Sequence, residues 1–253
     1  MRIAAFDIDG TLLFPHGIAA ADIAAIRAWQ DAGHLAVAAT GKSLHGLRRD
    51  LAPFDLDFDY AVVSTGAGVA DRAGDYLATH TVPTDTLRGI ITPLLRDPTV
   101  AVYATTLHGP DMLLSEQPAR LTGTILRQWE RLDIAELGEH EVTCVPVWVP
   151  DDPARQHRLR EEILGACPGV AVHINRNFLD IVPAGVDKAT GIGEVMAHLQ
   201  VRAEVVSFGD SFNDLAMHHM ADHAVAFPWS PREVVDAADE LTDAVAPVLR
   251  RLT

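Results

Sequence analysis

The chain has 253 residues, 48% of them hydrophobic, which is enough for one large domain or two modest ones with a sizeable core. Its formal net charge at pH 7 is −15, which disfavours nucleic acids and anionic membranes as partners because both require a basic face. Cys144 and Cys167 match no CxxC or zinc spacing, and no apolar run approaches the roughly 20 residues that span a bilayer. Since the first predicted strand follows Met1 and Arg2 directly, we expect a cytoplasmic protein without a leader peptide or a structural disulfide.

The first predicted element is a buried strand that ends in two carboxylates. Residues 3–6 are apolar and lead into Asp7 and Asp9, which a Gly-Thr turn follows. Such a run is typical of a strand in a parallel sheet, and ligands bind outside the carboxyl ends of these strands. Two carboxylates at this place repel each other, so a hard divalent cation is the natural candidate to neutralise them. The alternative is that both residues only form the turn that ends the strand.

Strands and helices alternate in the segment that follows. We predict a helix over 22–32 that ends at Gly33, a strand over 35–39, a helix that Ser43 caps and a strand over 60–63. This order predicts an α/β fold with a Rossmann-like doubly wound parallel sheet. Residues 69–81 then predict a hairpin that leaves the sheet.

The pattern changes after residue 82 and returns after Gly185. In the changed part we predict helices near 84–95, 117–130 and 153–166 and strands near 100–105, 142–149, 170–175 and 178–182. This mixture indicates an inserted α+β domain over 83–183, with the core formed by 1–82 and 184–253. In the returning part we predict a helix over 188–199, strands over 204–208 and 223–227, and helices over 231–239 and 244–252.

Four polar groups stand at strand ends or helix starts of the predicted core. They are Asp7 with Asp9, Thr40 with Lys42, Lys188, and Asp210 with Asn213 and Asp214. Because the carboxyl ends of parallel strands share one edge of a sheet, we expect these groups to converge on one crevice. Carboxylates, a lysine, a hydroxyl and loop N–H groups meet the demands of phosphoryl transfer, which needs a nucleophile, a metal and donors to the phosphoryl oxygens.

The same residues resemble, in order, the four motifs of the haloacid dehalogenase superfamily. The motifs are Asp7-Ile-Asp9-Gly-Thr11-Leu12, Thr40-Gly41-Lys42, Lys188, and Gly209-Asp210-Ser-Phe-Asn213-Asp214. By its position and length, the insert resembles the type IIB cap of the Cof-like phosphatase branch. Residues 63–67 resemble a segment common in that branch, with Thr65-Gly66 where Asn-Gly is usual.

The resemblance implies a phosphatase that hydrolyses a small phosphorylated metabolite through an aspartyl-phosphate. Asp7 would be the nucleophile, since an ionised carboxylate attacks phosphorus without prior deprotonation. Asp9 would protonate the leaving oxygen and then activate water, for which a pKa nearer neutrality than that of a free aspartate is needed. Lys188 would neutralise the transferring group and the nucleophile.

The resemblance also implies a Mg²⁺ site and a phosphate site. The metal ligands would be the Asp7 carboxylate, the Asp9 backbone carbonyl and Asp210, with Asp214 as a further ligand or a group behind them. The phosphoryl oxygens would be bound by Thr40 and the N–H groups at Gly41, with Lys42 and Asn213 as further contacts. Thr40 has the alternative of a helix-entry residue, Lys42 that of a solvated lysine, and Asn213 that of an N-cap or a partner of Lys188.

Cap residues would set specificity over this site. The candidates in cap loops are His108, Asp111, Trp148, Arg176 and Asn177. The tight turn at Arg176 and Asn177 is the best of them, whereas Trp148 on an apolar strand fits the core. Trp229 stands where the family more often has Asn, which leaves the role of its loop open.

Three other functions are compatible with parts of this pattern. A phosphomutase or phosphotransferase of the same fold would return the phosphoryl group to a sugar instead of water. A non-catalytic phosphate-binding regulator would be expected to have lost Asp7, Asp9 or Lys188, and all three are present. A response-regulator-like receiver domain would have about half this length and no inserted domain.

Overall fold

The computed structural model describes residues 1–115 and 128–253, which form two β-sheets of eight and six strands. The helices are α1 (Ala20–Asp31), α2 (Leu44–Leu51), α3 (Thr84–Leu94), α4 (Pro153–Ala166), α5 (Lys188–Leu199), α6 (Leu215–Met220), α7 (Arg232–Asp236) and α8 (Val245–Leu252). The strands are β1 (Arg2–Phe6), β2 (Leu35–Ala39), β3 (Tyr60–Val63), β4 (Gly68–Asp71), β5 (Tyr76–Thr79), β6 (Ala101–Thr106), β7 (Asp111–Leu113), β8 (Trp129–Arg131), β9 (Val142–Trp148), β10 (Val170–Asn175), β11 (Phe178–Pro183), β12 (Glu204–Phe208), β13 (His223–Ala226) and β14 (Glu240–Leu241). None of the helices in these two described ranges has both the length and the hydrophobicity that a bilayer crossing requires.

The larger sheet has the order β14-β13-β12-β1-β2-β3-β4-β5, and its strands run parallel from β14 to β3. Side chains of β1 alternate between its two faces, so Ala4 and Phe6 pack with α1 and α8. Ile3 and Ala5 pack on the opposite face with α5 and α6. This arrangement confirms the predicted doubly wound α/β fold and places the carboxyl ends of β1, β2 and β12 on one edge.

Two sequence predictions for this sheet are wrong. The hairpin after β3 does not leave the sheet, because β4 pairs antiparallel with β3 and β5 with β4. Val69 and Ala70 of that hairpin are fully buried, so pairing with the sheet keeps them from water. The helix predicted over 231–239 ends at Asp236, and Glu240–Leu241 instead adds a short parallel strand beside β13.

The smaller sheet has the order β10-β11-β9-β6-β7-β8 and packs against α3 and α4. Its four longer strands and these two helices lie where the sequence predicts them. The helix predicted over 117–130 falls mostly outside the described residues, and its last part is wrong because Trp129–Arg131 forms β8. Strand β7 has only three residues, too few for a recognisable alternation. The boundaries of the insert at 83 and 183 stay a prediction.

Gly66 lies in the connection after β3, with φ +101°. A Cβ at this position would overlap the backbone carbonyl of Asp187, which precedes α5. We therefore expect Gly66→Ala to lower the free energy of unfolding by about 2–4 kcal/mol, through both strain and the overlap. Urea unfolding measures the change, and Gly193→Ala in α5 is the control because nothing lies within 4 Å of its added Cβ. The control should keep or gain stability, because alanine favours a helix more than glycine does, and an equally harmless Gly66→Ala would contradict this expectation.

Candidate active site

Asp7, Lys188 and Asp214 form a buried ionic triad at the centre of the sheet edge. Asp7 directly follows β1, and Lys188 is the first residue of α5. The Lys188 Nζ donates to Asp7 Oδ1 at 2.7 Å and to Asp214 Oδ1 at 2.6 Å. Lys188 is fully buried, so both carboxylates compensate a charge that water cannot reach.

The pKa values of Asp7 and Lys188 are shifted by burial and by the charges of the triad. Burial raises the pKa of Asp7, Lys188 partly offsets the rise, and the charge of Asp214 adds to it. Burial alone would lower the pKa of Lys188, but Asp214 and Asp7 outweigh it and raise that pKa. The lysine therefore stays charged and keeps its negative partners close, although all three lie in the protein interior.

Asp7, Asp210 and Asp214 form a cluster that can hold a metal ion. One carboxylate oxygen from each lies within 4.8 Å of the others. Asp7 Oδ2 and Asp210 Oδ1 are buried and have no hydrogen-bond partner among the residues described. Burial and the charge of Asp7 raise the pKa of Asp210 to about 7, with Arg176 opposing the rise. Two buried carboxylate oxygens without hydrogen-bond partners are costly, and a bound cation would compensate their charge.

Asp214 and Asn213 differ in how much of their hydrogen-bonding capacity is used. The other Asp214 oxygen, Oδ2, accepts the backbone N–H groups of Asp210 at 3.0 Å and Ser211 at 2.9 Å. This geometry favours a place for Asp214 behind the metal ligands. The Asn213 amide is buried, and both its polar atoms lack a partner within the described residues. Asp214 occupies the N-cap position of the helix that follows, α6, and the Asn213 side chain bonds no backbone N–H in the described residues, so the N-cap interpretation of Asn213 is not supported.

Lys42 is buried rather than solvated. Its Nζ lies 3.0 Å from Asp9 Oδ2 and 2.7 Å from Asp50 Oδ2. Burial raises the pKa of Asp9, and Lys42 opposes this rise. Thr40 is also buried, and its hydroxyl accepts the backbone N–H of Lys42 at 3.2 Å. Because Ser43 caps α2, the helix-entry interpretation of Thr40 is not supported.

The cap closes directly over Gly41. A Cβ on Gly41 would lie 2.8 Å from Asn175 Nδ2 and 2.9 Å from Asp180 Oδ2. Thr65 and Asn175 both donate to Asp180 Oδ2, at 2.9 Å and 3.0 Å. Thr65 has φ +54°, which is unusual for a β-branched residue and marks a strained turn at this junction. Sequence analysis named Thr65 only as part of the segment 63–67 and missed Asn175 and Asp180, although a lone carboxylate at position 180 of an apolar strand was a usable signal.

Two side chains hold the loop that follows β1. The Arg176 Nη2 donates to the Asp9 carbonyl oxygen at 2.7 Å and to Asp210 Oδ2 at 2.9 Å. The Trp229 indole N–H donates to the Gly10 carbonyl oxygen at 2.9 Å. Arg176 comes from the cap and Trp229 from the core, so both parts of the fold support this loop. Arg176 is thus the one cap candidate from the sequence that touches the carboxylate cluster in the described part of the chain.

The remaining cap candidates contact residues outside the carboxylate cluster. They are His108, Asp111, Trp148 and Asn177. His108 packs edge-on against Tyr76, with ring centroids 6.2 Å apart. Asp111 accepts a hydrogen bond from Thr105 inside the insert. These contacts hold the fold together and do not involve the carboxylate cluster, which Arg176 contacts.

The chain is similar to phosphatases in sequence and in structure. A family model described as haloacid dehalogenase-like hydrolase matches residues 4–246. A relative from Yersinia pseudotuberculosis named HMP-PP phosphatase is 25% identical over 224 residues, 85% of this chain and 80% of the relative. A solved sugar phosphatase of subclass IIB superposes with a TM-score of 0.85 at 20% identity, covering 100% of this chain and 99% of the other. A phosphatase from Bacteroides thetaiotaomicron gives a TM-score of 0.81 at 23% identity, covering 100% and 94%.

The parallel sheet, the insert over it and the matching family model define a hydrolase of the haloacid dehalogenase-like type. Because the family model spans nearly the whole sequence, the chain belongs to the haloacid dehalogenase-like hydrolase family. The family that was predicted from the four motifs is thereby confirmed. The likeness to subclass IIB structures also agrees with an α+β cap between the second and third motifs.

Proposed function

We propose that the protein is a Mg²⁺-dependent phosphatase that hydrolyses a small phosphorylated metabolite through an aspartyl-phosphate on Asp7. The observation that carries this proposal is the pair of Asp7 oxygens. Oδ1 is held by Lys188, whereas Oδ2 is buried without a hydrogen-bond partner among the described residues. A fixed carboxylate with one oxygen engaged and the other available suits nucleophilic attack and metal contact at one residue.

The reaction follows from the residues around Asp7. An Asp7 oxygen attacks phosphorus while the bond to the leaving oxygen breaks, and Asp9 gives that oxygen its proton. The raised pKa of Asp9 favours the protonated form that this step needs. Asp9 then takes a proton from water, whose oxygen attacks phosphorus, and the bond to Asp7 breaks to release phosphate. Lys188 offsets negative charge throughout, because it is buried against the nucleophile.

The phosphoryl oxygens would be bound by four groups from two segments, the connection between β2 and α2 and the turn after β12. These are the Thr40 hydroxyl, the backbone N–H groups at Gly41, Lys42 Nζ and the Asn213 amide. The Asn213 amide supports this assignment most directly, since it is buried and has no partner in the described residues. A bound phosphate would satisfy it.

The donor set fits a magnesium ion. The ligands would be Asp7, the Asp9 carbonyl oxygen and Asp210, with Asp214 behind them. Buried unpaired oxygens on Asp7 and Asp210 are the observation that supports the fit, because Mg²⁺ prefers carboxylate and carbonyl oxygens. When bound, the ion supplies positive charge that offsets the carboxylates and the phosphate.

The cap leaves little free volume beside Asp7. The cavity lined by Asp7, Lys42 and Phe178 has a volume of about 30 Å³, which is room for about one water molecule. We therefore expect a phosphorylated metabolite to bind when the cap is displaced from Gly41. The names of the relatives, HMP-PP phosphatase and sugar phosphatase, support a small phosphorylated metabolite as the substrate of this chain.

Metal removal tests the proposed function. With EDTA, we expect phosphate release to fall at least about a hundredfold, since the carboxylate cluster loses its compensating charge, and added Mg²⁺ should restore it. The assay measures inorganic phosphate from a panel that includes sugar phosphates, pyridoxal phosphate and a diphosphate ester. Equal release with EDTA and with Mg²⁺ would contradict the proposal. An isomerised sugar phosphate without free phosphate would instead select the phosphomutase.

A further inference from the structure

Arg176 brings a positive charge from the cap onto the Asp9 carbonyl oxygen, which is a proposed metal ligand, and onto the Oδ2 atom of Asp210, another proposed ligand residue. Its Nη2 lies 2.7 Å from the Asp9 carbonyl oxygen and 2.9 Å from Asp210 Oδ2. Beside them, Asp7 Oδ2 and Asp210 Oδ1 have no hydrogen-bond partner in the described part of the chain. The guanidinium therefore does part of what a divalent cation would do in this cluster.

The turn that carries Arg176 is held in place. Arg176 and Asn177 connect β10 and β11, which pair from Asn175 and Phe178 outward. The Gln156 amide donates to the Arg176 carbonyl at 2.7 Å and to the Phe178 carbonyl at 2.9 Å. Arg176 has φ +53°, a conformation that the hairpin and Gln156 together maintain. The backbone thus presents the side chain to the core whenever the cap is closed.

A guanidinium and a divalent cation would share the Asp9 carbonyl oxygen and the negative charge of Asp210. The two cations would lie a few ångströms apart beside buried carboxylates, where repulsion between like charges is stronger than in bulk water. We therefore expect metal binding to weaken the contacts of Arg176 with the Asp9 carbonyl and Asp210. The Arg176 side chain is 44% exposed, so its guanidinium has water to move into.

We propose that Arg176 lowers the metal affinity of the closed, substrate-free enzyme by competing for the Asp9 carbonyl and Asp210. The proposal rests on the metal site of the proposed function. By thermodynamic linkage, a bound metal weakens the Arg176 contact by the same factor, so it loosens this attachment of the cap. A metal-loaded enzyme then has a free cation on the cap for an incoming phosphorylated substrate.

Titration of the full-length protein with MgCl₂ in a calorimeter, without substrate and at about 0.15 M salt, tests the competition. We expect Arg176→Gln to bind Mg²⁺ about tenfold more tightly than wild type, within the usual range of coupling between sites. Arg176→Lys keeps the charge and should stay closer to wild type. Arg158→Gln is the matched control, because it removes the same charge from an exposed position of the cap helix α4. It should leave the affinity unchanged.

Unchanged or weaker Mg²⁺ binding in Arg176→Gln would overturn the proposal, as would equal tightening in Arg158→Gln. Asp210→Asn separates this failure from failure of the metal site itself. If wild type binds Mg²⁺ and Asp210→Asn does not, the metal site stands and the result for Arg176 is judged on its own. If Asp210→Asn binds as tightly as wild type, the metal site is wrong and the competition falls with it.

Discussion

Replacing Asp7 with asparagine is expected to reduce phosphate release at least about ten-thousandfold. The substitution is nearly isosteric, and the asparagine oxygen can still accept a hydrogen bond from Lys188. The fold should therefore survive while the nucleophile is lost, because an amide does not form the acyl-phosphate. Steady-state phosphate release with Mg²⁺ measures the effect. Asp57→Asn is the control, since it removes the same charge from the exposed surface of the domain that carries Asp7 and should keep full activity.

A second measurement detects the aspartyl-phosphate directly. Acid quenching of wild type during turnover, followed by digestion and mass spectrometry, should find the phosphoryl group on the peptide that contains Asp7. The same peptide from Asp7→Asn should carry none. Activity within tenfold of wild type in Asp7→Asn, or phosphorylation at another residue, would rule out Asp7 as the nucleophile.

Replacing Lys188 with methionine is expected to reduce both stability and activity. Methionine has a similar length but leaves Asp7 and Asp214 as buried carboxylates without their shared cation. Breaking a buried ionic group in this way costs about 3–5 kcal/mol of unfolding free energy. Phosphate release should fall about a thousandfold or more, since charge beside the nucleophile is no longer offset. Urea unfolding and steady-state kinetics measure the two effects.

The double variant Lys188→Met with Asp214→Asn separates these two effects. Removing Asp214's charge as well should recover part of the stability, because fewer uncompensated charges remain in the interior. Activity should stay low, since the cation next to Asp7 is still absent. Recovery of activity together with stability would show that Lys188 acts only through folding, which would contradict its proposed role.

The core could be predicted from sequence because its chemistry is tied to its strands. Asp7, Thr40 and Asp210 each follow a buried apolar strand, and a parallel sheet brings such strand ends to one edge. Lys188 could be placed because it begins a helix that packs on the same sheet. Position along the chain and position in space therefore agree for these groups.

The details that sequence did not give depend on contacts between distant segments. Lys42 can be buried because Asp9 and Asp50 compensate its charge. Neither of these two ion pairs could be predicted from the residues that neighbour Lys42 in sequence. The contact of Asp180 with Thr65 joins the cap to the core between residues 115 positions apart in the sequence. The turn at Arg176 could be predicted. The contact of its side chain with Asp210 could not, because it depends on how the smaller sheet packs over the edge of the larger one.

The location of Arg176 and Asn177 has a consequence for how this enzyme could change in evolution. The groups proposed for bond breaking lie on central strands and helix starts, where most substitutions would also damage the fold. Arg176, the cap residue that contacts the cluster, lies with Asn177 in a two-residue turn, and its side chain is half-exposed. Surface turns accept new side chains at little cost in stability. New substrate preferences can therefore arise by drift in this turn, and a mutant library at Asn177 would sample them while keeping the Arg176 contacts to Asp9 and Asp210.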